Sequence, residues 1–357
     1  MPRPTRALVD LSALQHNYRL ACGRAAPGQA MAVIKADGYG HGIARVAGAL
    51  AQLAPCFAVA CIEEALSIRQ AGVNQPVVLL EGVHSAEDLA ICASKGFEPV
   101  LHKAEQLAWL EQGSARPPIW IKLNTGMNRL GFPPAQLPQC LDRVRQQGVE
   151  VRGVMTHFAC SDDLNDDFTQ VQTRTLEEAA SGYPELALSL ANSAAHFRPG
   201  QPMHDWSRPG IMLYGATPML VASAAELGLQ PVMTLESELI AVRTLNPGDR
   251  VGYGGSWIAE QPTPMGIVAI GYGDGYPRHA GTGTPAAVNG RRVRLIGRVS
   301  MDMLAVDLSD VPDARVGDRV ELWGTQISVD EVAASAGTIG YELLTGVTVR
   351  VPRIYRN

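Results

Sequence analysis

No sign of charge dominates this sequence: 30 lysines and arginines face 35 aspartates and glutamates, a formal charge of −5 at pH 7. A protein that grips nucleic acid or another polyanion shows a basic excess or a basic patch. Neither is visible, which sets that class aside. Long apolar runs are missing as well. No stretch reaches the length of a membrane-crossing helix, and residues 1–23 mix charges throughout, without the continuous apolar core of a secretory signal. Cysteine is sparse and irregular: Cys22, Cys56, Cys61, Cys92, Cys140 and Cys160 form no CxxC pair and no regular spacing. In a chain this long, that pattern indicates reduced thiols, a cytoplasmic setting and no zinc or other metal site.

What the chain does have is apolar material. Hydrophobic residues make up 46% and charged ones 18%, an ordinary globular composition that excludes disorder and collagen-like structure. The 357 residues correspond to two domains at about 150 residues each. From residue 31 to about 214, short apolar runs at 31–35, 56–60, 77–80, 98–101, 118–123, 151–156, 186–190 and 206–214 alternate with helical patterns such as 42–53, 63–70, 85–95 and 134–147. Buried parallel strands read as continuous apolar runs, each needing a helical crossover to the next. Eight such units in about 200 residues fit a (β/α)8 TIM-type barrel, with a doubly wound open sheet as the alternative.

Past residue 230 the texture changes. Runs at 233–245, 264–270, 292–297, 303–308 and 319–323 are strand-like and lack long helical crossovers. Asn246-Pro247-Gly248-Asp249 and the hairpin signal Asn289-Gly290 punctuate them. The expected organisation is an α/β barrel over 11–230 and a mostly β C-terminal domain over 231–357. The run at 7–11 precedes the barrel pattern, and residues 1–10 are expected to pair with the second domain.

Lys35 is the most informative single residue. It closes an apolar run and enters a glycine-rich loop, Ala36-Asp37-Gly38-Tyr39-Gly40-His41-Gly42. A lysine at the top of a barrel strand is placed to act as a Schiff-base amine, or to snorkel into solvent. Position alone leaves both readings open. The segment 33–42 resembles the pyridoxal-phosphate lysine segment of alanine racemases. So do Lys122-Leu123-Asn124-Thr125-Gly126-Met127-Asn128-Arg129, Met155-Thr156-His157-Phe158, Asn192-Ser193-Ala194, Arg208-Pro209-Gly210-Ile211, Val251-Gly252-Tyr253-Gly254, the run 270–276, Val299-Ser300-Met301-Asp302 and Gly340-Tyr341-Glu342. These stand in the family's order and span nearly the whole chain.

The resemblance implies a pyridoxal 5'-phosphate enzyme that interconverts L- and D-alanine, for peptidoglycan precursors or for alanine catabolism. It implies a (β/α)8 barrel followed by a β domain, and a homodimer with shared active sites. Lys35 would hold the cofactor and exchange the α-proton on one face, and Tyr253 of a second copy would exchange it on the other. Two groups flanking a planar carbanion meet the need of racemisation directly. Tyr39, Ser193, Tyr341, Gly210 and Ile211 would bind the phosphate, although Asn192-Ser193 by itself reads as a helix cap. Arg208 would face the pyridine nitrogen as a permanent donor, making the ring a poorer electron sink than an aspartate partner would. His157 would link Arg208 to Tyr253. Without the resemblance, Arg208 reads as a surface residue before a turn and His157 as structural.

Arg129 would bind the substrate carboxylate with its planar fork, Met301 would add a backbone contact, and Lys122 would be carbamylated so that it holds Arg129 as an anion. Asn124 stands where the family commonly has aspartate, which departs from the pattern beside Lys122. Asp162, Tyr272, Arg278 and Arg298 would line an entry corridor. The glycines of 271–275 lack the strand-to-helix G-x-G-x-x-G of a nucleotide loop. Lower-placed alternatives are a broader-specificity racemase, a pyridoxal-phosphate carrier without catalysis, a decarboxylase on a related fold and a Schiff-base aldolase. The carrier would leave the second domain idle, and a decarboxylase would need the carboxylate free to depart.

Overall fold

The computed structural model of the chain describes residues 3–357. Contacts divide it into two compact units. One holds Gln15–Leu213 and Thr217–Gly228; the other holds the N-terminal segment through Leu14, Tyr214–Ala216 and Leu229–Asn357. Of residues 1–10, expected to pair with the β-rich part, the first two lie outside the described residues.

In the first unit, strands Phe57–Val59, Val77–Leu79, Phe97–Leu101, Ile119–Lys122, Val151–Met155, Ala187–Ser189 and Trp206–Ser207 pair in parallel, each with its chain neighbour. The segment 29–33 closes the ring. Gln29–Ala30 pairs with Trp206–Ser207, and Ala32–Val33 pairs with Phe57–Val59. Met31 between them donates its N–H to Ser207 O at 2.9 Å, so the two pieces are one strand shared between two neighbours. Eight strands therefore form a closed parallel barrel. Phe57–Val59 and Phe97–Leu101 are buried at every residue, as a barrel wall covered on both faces requires.

The helices between strands bury one stripe each. Leu137–Gln146 turns Leu137, Cys140, Leu141 and Val144 inward at helical spacing. Ala86–Lys95 starts with a capping box, in which Ser85 Oγ accepts from Asp88 N and Asp88 accepts from Ser85 N. The expected strand at 206–214 is shorter than its apolar run: only Trp206–Ser207 pairs, and Ile211–Tyr214 is a 3₁₀ turn. Pro209 has no N–H for a ladder, and Gly210 turns the chain away.

In the second unit, Met233–Leu245 is the organising strand. Its first half pairs with Arg6–Asp10 and Arg319–Trp323, and its second half with Thr263–Val268. Leu304–Asp307, Arg291–Ile296 and Pro285–Val288 complete a ring of six antiparallel strands. Arg353–Arg356 adds to Arg6–Asp10 in parallel. Two short helices that the strand-like texture did not predict, Val329–Ala336 and Gly340–Gly346, follow the ring.

Candidate active site

The chemistry-bearing residues of the first unit all follow the C-terminal ends of barrel strands. Lys35 comes after Ala32–Val33, Lys122 ends Ile119–Lys122, His157 comes after Val151–Met155, Ser193 after Ala187–Ser189, and Arg208 directly after Trp206–Ser207. That is the face on which barrel enzymes assemble their sites, because the loops there vary without disturbing the wall.

Lys35 opens an unusual turn. Ala36, Asp37, Gly38, Tyr39 and Gly40 all have positive φ, from 50° to 80°. A left-handed run of this kind is costly for residues with a Cβ and persists only when its surroundings hold it. Here Glu64 accepts from Ala36 N at 2.6 Å and from Ala60 N at 2.9 Å, and Asp37 Oδ1 accepts from Ile43 N at 2.8 Å. His41 Nδ1 donates to Tyr39 O at 2.8 Å. The effect is to bury Tyr39 while leaving Lys35 partly open. Nothing in the sequence near Glu64 signals this role.

Tyr39 lies against Gly210, where a Cβ would come within 2.5 Å of the tyrosine hydroxyl; glycine is the residue that fits. Ser193 Oγ accepts from Gly210 N at 2.8 Å and from Met212 N at 3.4 Å, bracketing Ile211. With two N–H groups on its oxygen, the Ser193 hydroxyl keeps its own proton to donate. Asn192 takes the capping role instead: its Oδ1 accepts from Ala195 N at 3.2 Å and from Ser161 Oγ at 2.8 Å.

Arg208 is buried, which corrects the expectation of a surface arginine that its sequence alone suggests. It donates to Ser189 Oγ at 2.5 Å, to Leu190 O at 3.2 Å and to Thr156 O. Burial pushes its pKa down to about 10, which leaves it a cation at neutral pH. Lys122, Arg129, Thr156 and His157 line one cleft. Burial first, then Arg208, Arg129 and Lys35, push Lys122 down to about 8. Burial and the same positive neighbourhood, with Arg208 foremost, hold His157 well below its ordinary value, so its imidazole is neutral.

The structure thus gathers Lys35, Lys122, Arg129 and Arg208 around a neutral His157, with Tyr39, Ser193, Gly210 and Ile211 forming a second group. Asp162 is half-buried, and its carbonyl accepts from Leu220 N at 3.3 Å. Tyr253, Tyr272, Arg278, Arg298, Met301 and Tyr341 belong to the other unit. There Tyr272 N donates to Ser300 O at 3.0 Å and Gly273 N to Met301 O at 2.8 Å, which brings Tyr272 and Met301 together. The Arg298 guanidinium sits beside Gly254, next to Tyr253. Arg278 and Arg298 are exposed, and Tyr341 is half-buried in Gly340–Gly346. A concavity elsewhere, bordered by Trp257, Arg292 and Arg294, holds none of these groups. Its arginines are already paired with Glu331 and Asp307.

Among the described residues, no group of His, Cys, Asp or Glu side chains is arranged to hold a metal, and no helix is long and apolar enough to cross a membrane. The six cysteines are unpaired.

Comparison with known proteins covers nearly the full length. Residues 9–218 match the family described as alanine racemase, N-terminal domain, and residues 232–355 match alanine racemase, C-terminal domain. The chain is 62% identical over 357 residues to an alanine racemase of Marinobacter nauticus, covering 99% of this chain and 100% of the relative. It is 50% identical to a catabolic alanine racemase of Pseudomonas putida, with 99% of each covered. Among solved structures, the biosynthetic alanine racemase from Pseudomonas aeruginosa superposes with a TM-score of 0.96 at 49% identity, covering 99% of this chain and 100% of that one. The alanine racemase from Bartonella henselae with covalently bound pyridoxal phosphate gives 0.89 at 30%, with 99% and 100% covered.

Proposed function

The chain belongs to the alanine racemase family, and from that premise we propose that it interconverts L- and D-alanine with pyridoxal phosphate held at the open end of the barrel. One observation carries the assignment of the site: buried Lys122 and Arg208, half-buried Lys35 and exposed Arg129 gather at the C-terminal ends of the barrel strands, close enough that the other three all lower the pKa of Lys122. Such a cluster is unfavourable until an anion joins it. A phosphate dianion and a substrate carboxylate are anions of the right kind, and the donor set fits both. Ser193 has a proton to give, Tyr39 and the Ile211 N–H stand beside it, and Tyr341 would join them.

Bound pyridoxal phosphate supplies an electron sink that makes the alanine Cα–H acidic. Lys35 would hold the cofactor through Nζ, and the same amine would take or return the α-proton on one face. The Tyr253 hydroxyl of a second copy would do so on the other. Arg208, a cation at neutral pH with no proton to lose, would serve as a permanent donor toward the cofactor ring. Neutral His157 lies beside it as an acceptor. Arg129 grips the substrate carboxylate, with backbone help from Met301. Lys122, lowered to about 8, is partly neutral at cellular pH. Its free amine adds carbon dioxide and releases a proton, giving a carbamate anion that holds Arg129 in place.

A second copy is supported by exposure. Tyr253 is 70% exposed, Met301 53% and Tyr272 40% in the single chain, large apolar surfaces that an interface would cover. We assign cofactor binding chiefly to the barrel, 11–230, with Tyr341 added from 231–357, which also supplies the second face of the reaction. Asp162, Tyr272, Arg278 and Arg298 form the entry corridor. Scattered, unpaired cysteines suit a cytoplasmic enzyme. Both biosynthetic and catabolic use of D-alanine require this same chemistry.

The test is enantiomer-resolved analysis of L-alanine incubated with the purified protein and pyridoxal phosphate. D-alanine should accumulate toward an equal mixture without a co-substrate, and Lys35→Ala should lose both this activity and the visible absorbance of the bound cofactor. Cofactor absorbance without any D-alanine would overturn the proposal.

A further inference from the structure

Helix Phe168–Ala180 turns Thr169, Gln172, Thr173, Leu176 and Ala180 toward the barrel. Gln172 occupies the middle of that stripe, fully buried, where helical periodicity calls for an apolar side chain. Its amide is completely used. Oε1 accepts from Ala159 N at 2.9 Å, while Nε2 donates to His157 O at 2.9 Å and to Thr125 Oγ1 at 3.3 Å. Thr125 Oγ1 is 2.7 Å from Thr156 Oγ1, and the Thr156 carbonyl receives Arg208. Thr125 and Thr156 are both buried.

Because Oε1 accepts a backbone N–H, the amide orientation is determined and both Nε2 protons point to acceptors. Thr125 therefore accepts from Gln172 and shares a further hydrogen bond with Thr156, in which either hydroxyl can be the donor. The hydroxyl chain runs from the helix toward the cleft that Thr156 shares with Lys122, Arg129 and His157. One side chain thereby ties together the loop after Ile119–Lys122, which carries Arg129, and the loop after Val151–Met155, which carries His157.

We infer that Gln172, acting through Thr125 and Thr156, is a positioning residue that sets the placement of His157 and Arg208 in the cleft. Gln172 itself is buried behind the cleft and is not among the residues that line it. The inference rests on the reading of this cleft as the cofactor site, and it goes beyond that reading by adding a partner on a helix outside the barrel mouth. A leucine at 172 would leave the part-buried Ala159 N–H and His157 carbonyl without their partner, and a valine at 125 would leave the buried Thr156 hydroxyl without its partner at 125.

The test uses the holoenzyme and two independent substitutions. Gln172→Leu removes all three bonds. Thr125→Val removes only the link between the amide and Thr156, and Thr125→Ser restores that hydroxyl. Three readouts are taken for each: the visible absorbance of bound pyridoxal phosphate as a function of pH, the pH profile of kcat/KM, and Tm. We expect Gln172→Leu and Thr125→Val to move the absorbance and the pH profile in the same direction. Each should lose about 10- to 100-fold in kcat/KM, as small misplacements of reacting groups do. Thr125→Ser should return toward wild type. If Gln172→Leu does not fold, the Thr125 pair decides the matter. Unchanged absorbance and pH profile in Thr125→Val, with only Tm reduced, would overturn the inference by showing a purely structural tie. A wild-type protein that takes up no pyridoxal phosphate would instead refute the underlying reading of the site.

Discussion

Lys122 shows how burial and charge act together on one side chain. An unfolded chain keeps it near 10.5, and the fold lowers it to about 8, chiefly by burial and then by Arg208, Arg129 and Lys35. Between those two pH values the unfolded chain binds the extra proton, so stability rises with pH across that window. Below the lower value the fold bears the whole penalty, roughly 3 kcal/mol. In cofactor-free protein, denaturation curves should therefore show wild type gaining stability relative to Lys122→Met from about pH 8 to about pH 10. A wild type that gains nothing relative to the variant would contradict a free Lys122 amine lowered by the fold. Arg208 differs in outcome under similar burial. Lowered only to about 10, it stays charged, and its three donations to Ser189, Leu190 and Thr156 compensate the buried cation.

Among the elements, the barrel wall depends on close approach. Strand Val151–Met155 pairs with Ala187–Ser189, and Gly153 stands opposite Ala187. A Cβ at Gly153 would come within 2.1 Å of Ala187 O and 2.7 Å of the Trp120 ring, neither of which can give way cheaply. Gly153→Ala should destabilise the protein by about 1–3 kcal/mol, the usual effect of overpacking. A lower urea midpoint with an unchanged m-value would express it, and an unchanged midpoint would show that the strands have room to part. The left-handed turn after Lys35 is an element of the opposite kind, in which strain is accepted and then held by Glu64 and Asp37. Its result is geometric: Tyr39 goes inward and Lys35 stays at the mouth.

At the scale of the molecule, the proposal that each site needs two copies has a direct consequence. Lys35→Ala and Tyr253→Phe damage different contributions to a shared site, so each homodimer should be impaired at both of its sites. Mixed after unfolding and refolding together, the two variants should regain about a quarter of wild-type activity, because half of the dimers are hybrids with one intact site each. Mixed dimers, confirmed by mass spectrometry of tagged chains, that recover no activity would contradict shared sites.

Much of this was legible in the chain itself, because it depends on neighbours in sequence. The apolar runs at 77–80, 151–156, 233–245 and 319–323 announce strands that are present at those places. Periodicity announces Ala86–Lys95 and Leu137–Gln146. The ordered motifs from residue 33 to residue 342 carry the resemblance to the family by themselves. Other features have no local signature. The run 206–214 looks like one strand until Pro209 and Gly210 divide it, and Pro285–Val288 becomes a strand only through its partners Arg291–Ile296 and Arg319–Trp323. The depressed pKa of Lys122, the neutrality of His157 and the burial of Arg208 arise only when barrel closure brings residues 35, 122, 129, 157 and 208 within reach of one another. Gln172 and Glu64 read as ordinary helix residues for the same reason. Sequence determined which groups are available and which segments are straight or coiled, since those follow from short-range sterics and hydrophobic pattern. Tertiary structure alone decided their charge states and partners, since electrostatic and desolvation energies depend on distances that chain separation does not encode.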